Sequence, residues 1–236
     1  MAVETIAADA IAEVKRLANE HFEAPEVQYL FTTPLTPARV GIWVAHQTRF
    51  VRNRRDCWAL ASGLAPLDVK RAVWKHEEDE LIHDPRAGSD HYTLMLEQAQ
   101  TFGLSAEQVM AVPVHPFAAA ALDAWTLLCR GTWLEAFACT ATIEIINSNA
   151  IIQGGGFSSR MRDKLMAELG YERRQLRDQN VHVEADMEHT TIFDAVIPHH
   201  VTDECAARLV LATARRALDI DSAYRGGVAF AMRQVE

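Results

Sequence analysis

Apolar positions recur at helical spacing over most of the chain, and strict apolar/polar alternation is scarce, so the pattern predicts helices and almost no strand. Residues 3–21 read as an amphipathic helix. A second, long helix begins in "LTPARVGIWVAHQTRFV", where Thr36 suits the cap and Pro37 the first turn. It runs to "ASGLAP", where Gly63 and Pro66 stop it. Further helices are expected over about 66–84, about 90–102, a short stretch after the Ser105 cap of "LSAEQV", and about 115–129. The remainder are expected over about 131–153, about 157–169, about 173–196 and about 202–219, with a helical tail. The breaks are short and mostly rich in Gly or Pro: "RGT", "QGGG", "LGYE", "IPHH". No linker, repeat or low-complexity tract divides them, so residues 1–236 are expected to form a single all-α domain, a multi-helix bundle.

Composition narrows the function classes. With 49% hydrophobic residues in 236, a sizeable core is available. The net charge of −9 leaves no basic surplus to neutralise phosphates, which argues against nucleic acid or an anionic membrane as partner. The one dense basic patch, "RFVRNRR" (49–55), reads as solvated helix surface. Cys57, Cys129, Cys139 and Cys205 are far apart in sequence and form neither a disulfide framework nor a zinc knuckle. The start, "MAVETIAADAIAEVKRL", is acidic and amphipathic, unlike a signal peptide, and no run of about 18 apolar residues occurs. A soluble, cytoplasmic protein acting on a small molecule is the expectation.

Three segments carry candidate chemistry. The first is "HVEADMEH", residues 182–189. At about 100° per residue, Asp186 falls about 40° and His189 about −20° from His182, on one narrow face. Glu184 and Glu188 fall on the far side, where water can hold them, and Val183 and Met187 flank the face as a core boundary. Two imidazoles and an inward carboxylate form a metal-binding set suited to Fe, Mn or Zn; with ten histidines in the chain, the bland alternative is a polar helix that happens to contain two. The second is "EAFACTATIEIINSNAIIQGGGFSSR" (135–160), where Glu144 is the one charged residue between Glu135 and Arg160. A carboxylate in such an apolar run needs a partner, either a metal ion or a hydroxyl or Arg. The third is "VWKHEEDELIHDPRAGSDHYTLM" (73–95), where Val69, Val73, His76, Glu77, Glu80, His83 and Asp84 fall on one side of the expected helix. Glu80 and His83 make an i, i+3 Glu-x-x-His pair, a spacing used in di-iron bundles; His91, beyond a Gly-containing loop, is the other candidate imidazole. Together the segments offer the inventory of a carboxylate-bridged dinuclear site.

With those residues the sequence resembles the haem-oxygenase-like di-iron oxidases and oxygenases, whose helical fold is shared with haem oxygenase, the TenA thiaminases and the PqqC oxidase. The late His-x-x-x-Asp-x-x-His, the mid-chain Glu144, the stretch "HYTLMLEQAQTFGL" and the early "LTPARVGIWVAHQTRFV" carry the likeness, over about residues 30–225. The resemblance implies Glu80, His91, Glu144, His182, Asp186 and His189 as metal ligands, with Glu80, Glu144 and Asp186 as the catalytic carboxylates. It implies two Fe(II) ions as cofactor, O2 as co-substrate, and oxidation or cleavage of a small amine, amino acid or carboxylate in a biosynthetic pathway. A homodimer is implied in the same way. Rival readings are a TenA-like metal-independent hydrolase using Cys139, which shares a helix with Glu144, and a non-catalytic binding protein of the same fold. Haem ligation by His21 or His46 has little to support it. Trp43, Trp58, Trp74, Trp125, Trp133, Phe157 and Tyr224 suit either an apolar pocket or the core. An Arg of the 49–55 cluster, or Arg160, suits a substrate carboxylate.

Overall fold

The computed structural model describes residues 3–236 and consists of helices joined by short turns; Met1 and Ala2, at the start of the stretch read as lacking a leader, lie outside these residues. The helices are α1 (Val3–His21), α2 (Pro25–Thr32), α3 (Pro37–Gly63), α4 (Leu67–Glu77), α5 (His91–Thr101) and α6 (Ala106–Ala111). They continue as α7 (Pro116–Leu128), α8 (Trp133–Ile145), α9 (Phe157–Leu169), α10 (Arg177–His189), α11 (Thr191–His200) and α12 (Glu204–Arg233). The bundle is built around α8. Its small and apolar residues are buried on every side from Ala136 to Ile145, and α3, α12, α1, α7, α10 and α11 all pack against it. No described helix is long and apolar enough to cross a membrane.

Several ends follow their sequence signals. Thr36 accepts from the Arg39 N–H at the start of α3, and Ser105 and Thr132 form capping boxes with Gln108 and Glu135 at the starts of α6 and α8. Others differ, for identifiable reasons. The helix expected over 66–84 gives way after Glu77 to a π turn, Glu78–Ile82, in which the His83 N–H bonds the Glu78 carbonyl at 2.8 Å. That turn inserts one residue into the helical spacing. The helix expected over 131–153 ends at Ile145, because the chain folds back so that Gly156 lies against the Asn147 carbonyl; a Cβ on Gly156 would sit 1.9 Å from that oxygen. The helix expected over 173–196 begins with a separate 3₁₀ turn, Arg173–Gln175, and breaks at Thr190, whose hydroxyl bonds the Asp186 carbonyl at 2.9 Å. Pro198 lies inside α11 instead of ending it. The short α2 had no strong periodicity to announce it, and the expected tail is a continuous α12 of 30 residues.

Candidate metal centre

Five elements converge. The end of α4 supplies His76, the π turn supplies Glu80, the first residue of α5 is His91, and α8 supplies Glu144. His182, Asp186 and His189 come from the one face of α10 that turns inward. One ligand-capable atom from each of His76, Glu80, Glu144 and His189 lies within 4.8 Å of the others, and the same holds for Glu80, His91 and His182. Glu80 is common to both sets. Its Oε1 is 2.9 Å from His91 Nδ1 and 3.1 Å from His189 Nδ1, and its Oε2 accepts from Arg55 Nη1 at 2.6 Å. Imidazole rings pair across the helices, His76 with His189 and His91 with His182, each at 4.5 Å between centroids. Glu144 Oε1 accepts from Trp58 Nε1 at 3.2 Å and stands 3.9 Å from His76 Nε2.

Whether these residues suit a metal is decided by the atoms left without partners. His76 Nε2, His189 Nε2 and both carboxylate oxygens of Asp186 are buried with no hydrogen bond, while His91 Nδ1 and His189 Nδ1 meet only Glu80 Oε1. Buried polar atoms are nearly always paired, so such a concentration in one place is exceptional. The far ring nitrogens, by contrast, are engaged. His91 Nε2 lies 2.9 Å from Asp84 Oδ2, His182 Nδ1 is 2.9 Å from the Asp178 carbonyl, and His76 Nδ1 is 3.0 Å from Glu77 Oε1. Outer partners that fix ring orientation while the inner nitrogens stay open are what metal-bound histidines have. The mixture of hard carboxylates and borderline imidazoles fits iron among the transition metals.

The electrostatics agree with a site that is charged but buried. Burial opposes charge on His91, yet Glu80 and Asp84 overcome it and push the ring up to about 10. Burial likewise opposes charge on His189, and Glu80 pushes it up to about 9. His76, where burial prevails, is pushed down to about 3 and is neutral. Asp186 is driven well above the usual carboxylate range by burial and then by Glu144. Burial also acts against charge on Glu80, but Arg55 and the imidazoles hold it well below its ordinary value.

Residues 42–222 match the sequence model of a family described as iron-containing redox enzymes. The chain belongs to that family. No curated protein matches this iron-containing redox enzyme in sequence. Among solved structures it is similar to a domain of unknown function with a haem-oxygenase-like fold from Shewanella denitrificans, with a TM-score of 0.74 and 11% identity over 97% of this chain and 94% of that one. It is also similar to a CADD-like protein of unknown function from Nostoc punctiforme, with a TM-score of 0.74 and 15% identity over 95% of this chain and 97% of that one. A second structure described in the same words and from the same organism gives a TM-score of 0.68 at 14% identity, over 98% and 97% of the two chains. These likenesses establish the haem-oxygenase-like all-α fold of the enzyme.

Set beside the sequence reading, five of the six expected ligands fall in the two sets. The sixth, Asp186, lies in neither, although it is buried, faces the same interior and acts electrostatically on His189. The residue missing from the sequence-derived ligand set is His76. It was placed on the inward side of its helix, and its spacing of four from Glu80 was the usable signal. His83 is exposed, because the π turn and the extended backbone at φ −168° carry it out of the helical phase. Glu184 and Glu188 face water as expected, but Met187 is 54% exposed and forms no core boundary. Cys139 is buried in the core of α8, His21 is bound to Asp221 at 2.8 Å, and His46 is held between the Ile42 carbonyl and the His115 N–H. No nucleophile or haem ligand is therefore presented by these three. Trp43 and Phe157 line the cavity beside the cluster, whereas Trp125 and Tyr224 are core and Trp74 is 73% exposed. Arg160 is engaged by the carbonyls of Gly155 and Gln153.

Proposed function

We propose that this iron-containing redox enzyme is a non-haem di-iron oxidase or oxygenase that uses O2 to oxidise or cleave a small amine, amino-acid or carboxylate substrate. The observation that carries the reading is Glu80: one buried carboxylate belongs to both candidate ligand sets, as a bridge between two ions must. His76, Glu144 and His189 would complete one iron position with Glu80, His91 and His182 the other, and Asp186 stands by as a further carboxylate. Bound there, a pair of ferrous ions supplies the electrons that activate O2.

The chain's own contribution is orientation and exclusion of water. Arg55 bonds Glu80 Oε2 and also lies 3.2 Å from Glu77, which keeps Glu80 ionised and turns its Oε1 to the imidazoles. The Trp58 N–H fixes Oε1 of Glu144. Asp84 and the Asp178 carbonyl aim His91 and His182. Trp58, Phe137 and Phe193 close the site with apolar surface. A narrow cavity of about 30 Å³ reaches Glu80, Glu144 and His182 between Phe50, Phe157 and Met161. Anaerobic Fe(II) loading followed by Mössbauer spectroscopy tests the proposal. Two ferrous ions per chain, both oxidised on exposure to O2, are expected; a single bound iron, or a pair inert to O2, overturns it.

A further inference from the structure

Three cavities approach the candidate metal centre, and they differ in what lines them. The narrow one beside Phe50, of about 30 Å³, reaches Glu80, Glu144 and His182. One water needs about 10–15 Å³ of such space, so an ion with its water shell does not fit there. A second, of about 350 Å³, ends on Arg55, Trp58 and Glu77, with a guanidinium and no imidazole at its inner end. The third, of about 410 Å³, lies between α4, α10 and α11 and is lined by both His76 and His189. Lys75, Asp79 and Glu188 are the charged residues of its wall, and Lys75 and Glu188 are exposed, so it opens to water. His189 is 5% exposed and turns a different ring nitrogen to each side. Nδ1 meets Glu80 Oε1 at 3.1 Å, whereas Nε2 has no hydrogen bond and lies 3.5 Å from Asp79 Oδ2. Two ligands about 2.1 Å from one ion at the tetrahedral angle stand about 3.4 Å apart, so one ion spans that gap. Arg86 does not fully occupy Asp79, because it is shared with Asp84 and Glu188.

We propose that this third cavity is the route by which divalent metal ions reach the centre, and that Asp79 with His189 Nε2 forms an outer site that captures the ion before it passes inward. The proposal rests on the reading of the inner cluster as a metal centre and adds how that centre is filled. A buried set of imidazoles and carboxylates fills only as the ion sheds its waters, and a carboxylate and an imidazole at the mouth replace two of them. Asp79 belongs to neither inner ligand set, so its contribution ends once the ion has passed. It lowers the barrier equally in both directions and leaves the equilibrium affinity unaltered. Lys75, the exposed cation of the same wall, opposes the approach of an ion.

The test is the rate of Co(II) uptake by metal-free protein, followed by stopped-flow visible absorption at fixed ionic strength. The rate of Co(II) loss is read in excess EDTA, where it no longer depends on EDTA. Asp79→Asn, which keeps an oxygen for Arg86, is expected to slow both uptake and loss about tenfold or more, with the number of ions bound and their Kd unchanged. Asp79→Glu is expected to keep most of the rate, and Lys75→Gln to quicken uptake about twofold or more. Glu78→Gln removes the same charge from an exposed neighbour that does not line the cavity, and is expected to leave both rates within about twofold of wild type. An unchanged uptake rate in Asp79→Asn, an equal fall in Glu78→Gln, or slower uptake joined to faster loss overturns the proposal. So does a third Co(II) ion held at Asp79 at equilibrium. Should Asp79→Asn not fold, Lys75→Gln decides, and uptake no faster than wild type overturns the route. Wild type that binds no Co(II) removes the metal-centre reading itself, whereas normal binding with an unaltered rate in Asp79→Asn removes the route alone.

Discussion

Replacing Asp84 by Asn changes one atom and, by the geometry, should disable one ligand set. Asp84 is fully buried, and its backbone N–H is tied to the Ser89 carbonyl at 3.0 Å. Its Oδ1 accepts from both the backbone N–H and Nε of Arg86 at 2.8 Å, while Oδ2 faces His91 Nε2 at 2.9 Å. In the variant, the two Arg86 donors demand an oxygen, so the amide NH2 must face His91. Nε2 then has to accept, and the proton of the neutral ring moves to Nδ1, the atom 2.9 Å from Glu80 Oε1. A protonated Nδ1 has no lone pair for a metal. Loss of an orienting carboxylate behind a metal-bound histidine lowers affinity about 10- to 100-fold, about 1.4–2.8 kcal/mol, and the reversed tautomer places this variant at the upper end. His76, Glu144 and His189 make no hydrogen bond with Asp84, so the other position keeps its affinity. The assay is Co(II) titration of metal-free protein followed by visible absorption, with iron counted after Fe(II) loading. One tight and one weakened step are expected. Two unchanged steps, or two steps weakened together, would refute the tautomer reasoning.

Two further outcomes follow from the same geometry. His76→Ala should lower iron to about one ion per chain, whereas His83→Ala and Glu184→Ala, both at exposed positions, should leave iron content and the helical CD signal unchanged; loss of iron in either of the latter would show that the helix faces are misassigned. In metal-free protein Glu80, joined by Asp84 at His91, lifts His91 to about 10 and His189 to about 9 against the effect of burial, so both rings are protonated near neutrality and a metal must displace those protons. Co(II) affinity should climb about tenfold per pH unit for each proton displaced, while the metal-free fold, stabilised by raised histidine pKa values below the unfolded value of about 6.5, loses that contribution as pH rises through about 9 to 10. A pH-independent Co(II) isotherm, or a metal-free Tm that rises over that alkaline span, counts against it.

Much of the bundle was legible because its helices announce themselves by period and cap. Thr36–Pro37, Ser105 and Thr132 each start a helix where the side chain accepts from the backbone. The inward face of α10 was legible for the same reason, since His182, Asp186 and His189 follow one period through an unbroken helix. What escaped was set by contacts from elsewhere in the chain or by backbone departures. Gly156 ends the return from α8 because it must pass the Asn147 carbonyl, and nothing local in "QGGG" states that partner. The choice between His83 and His91 depended on a π turn, a one-residue insertion that hydrophobic periodicity cannot display when the inserted run is "EDELI". His76 was visible as an inward residue, but its tie to Glu144 and His189 is tertiary.

That π turn is also what makes a single carboxylate serve two sets. In a continuous α-helix His83 would follow Glu80 by three and share its face, and the cluster would draw its imidazole from the same rod. The inserted residue instead turns His83 out to water and leaves Asp84 buried behind the loop, where it holds His91 at the start of α5. Glu80 then meets imidazoles from two other helices, His91 of α5 and His189 of α10, and the guanidinium of Arg55 from a third, α3. Without metal these cations keep the buried carboxylate paired. With metal, each displaced imidazolium proton frees a nitrogen lone pair at the same place, so the geometry that neutralises the empty cluster is the geometry that ligates. The fold therefore need not rearrange its backbone to pass between the two, which is why the Asn substitution at position 84, altering only which nitrogen carries the proton, should separate ligation from folding.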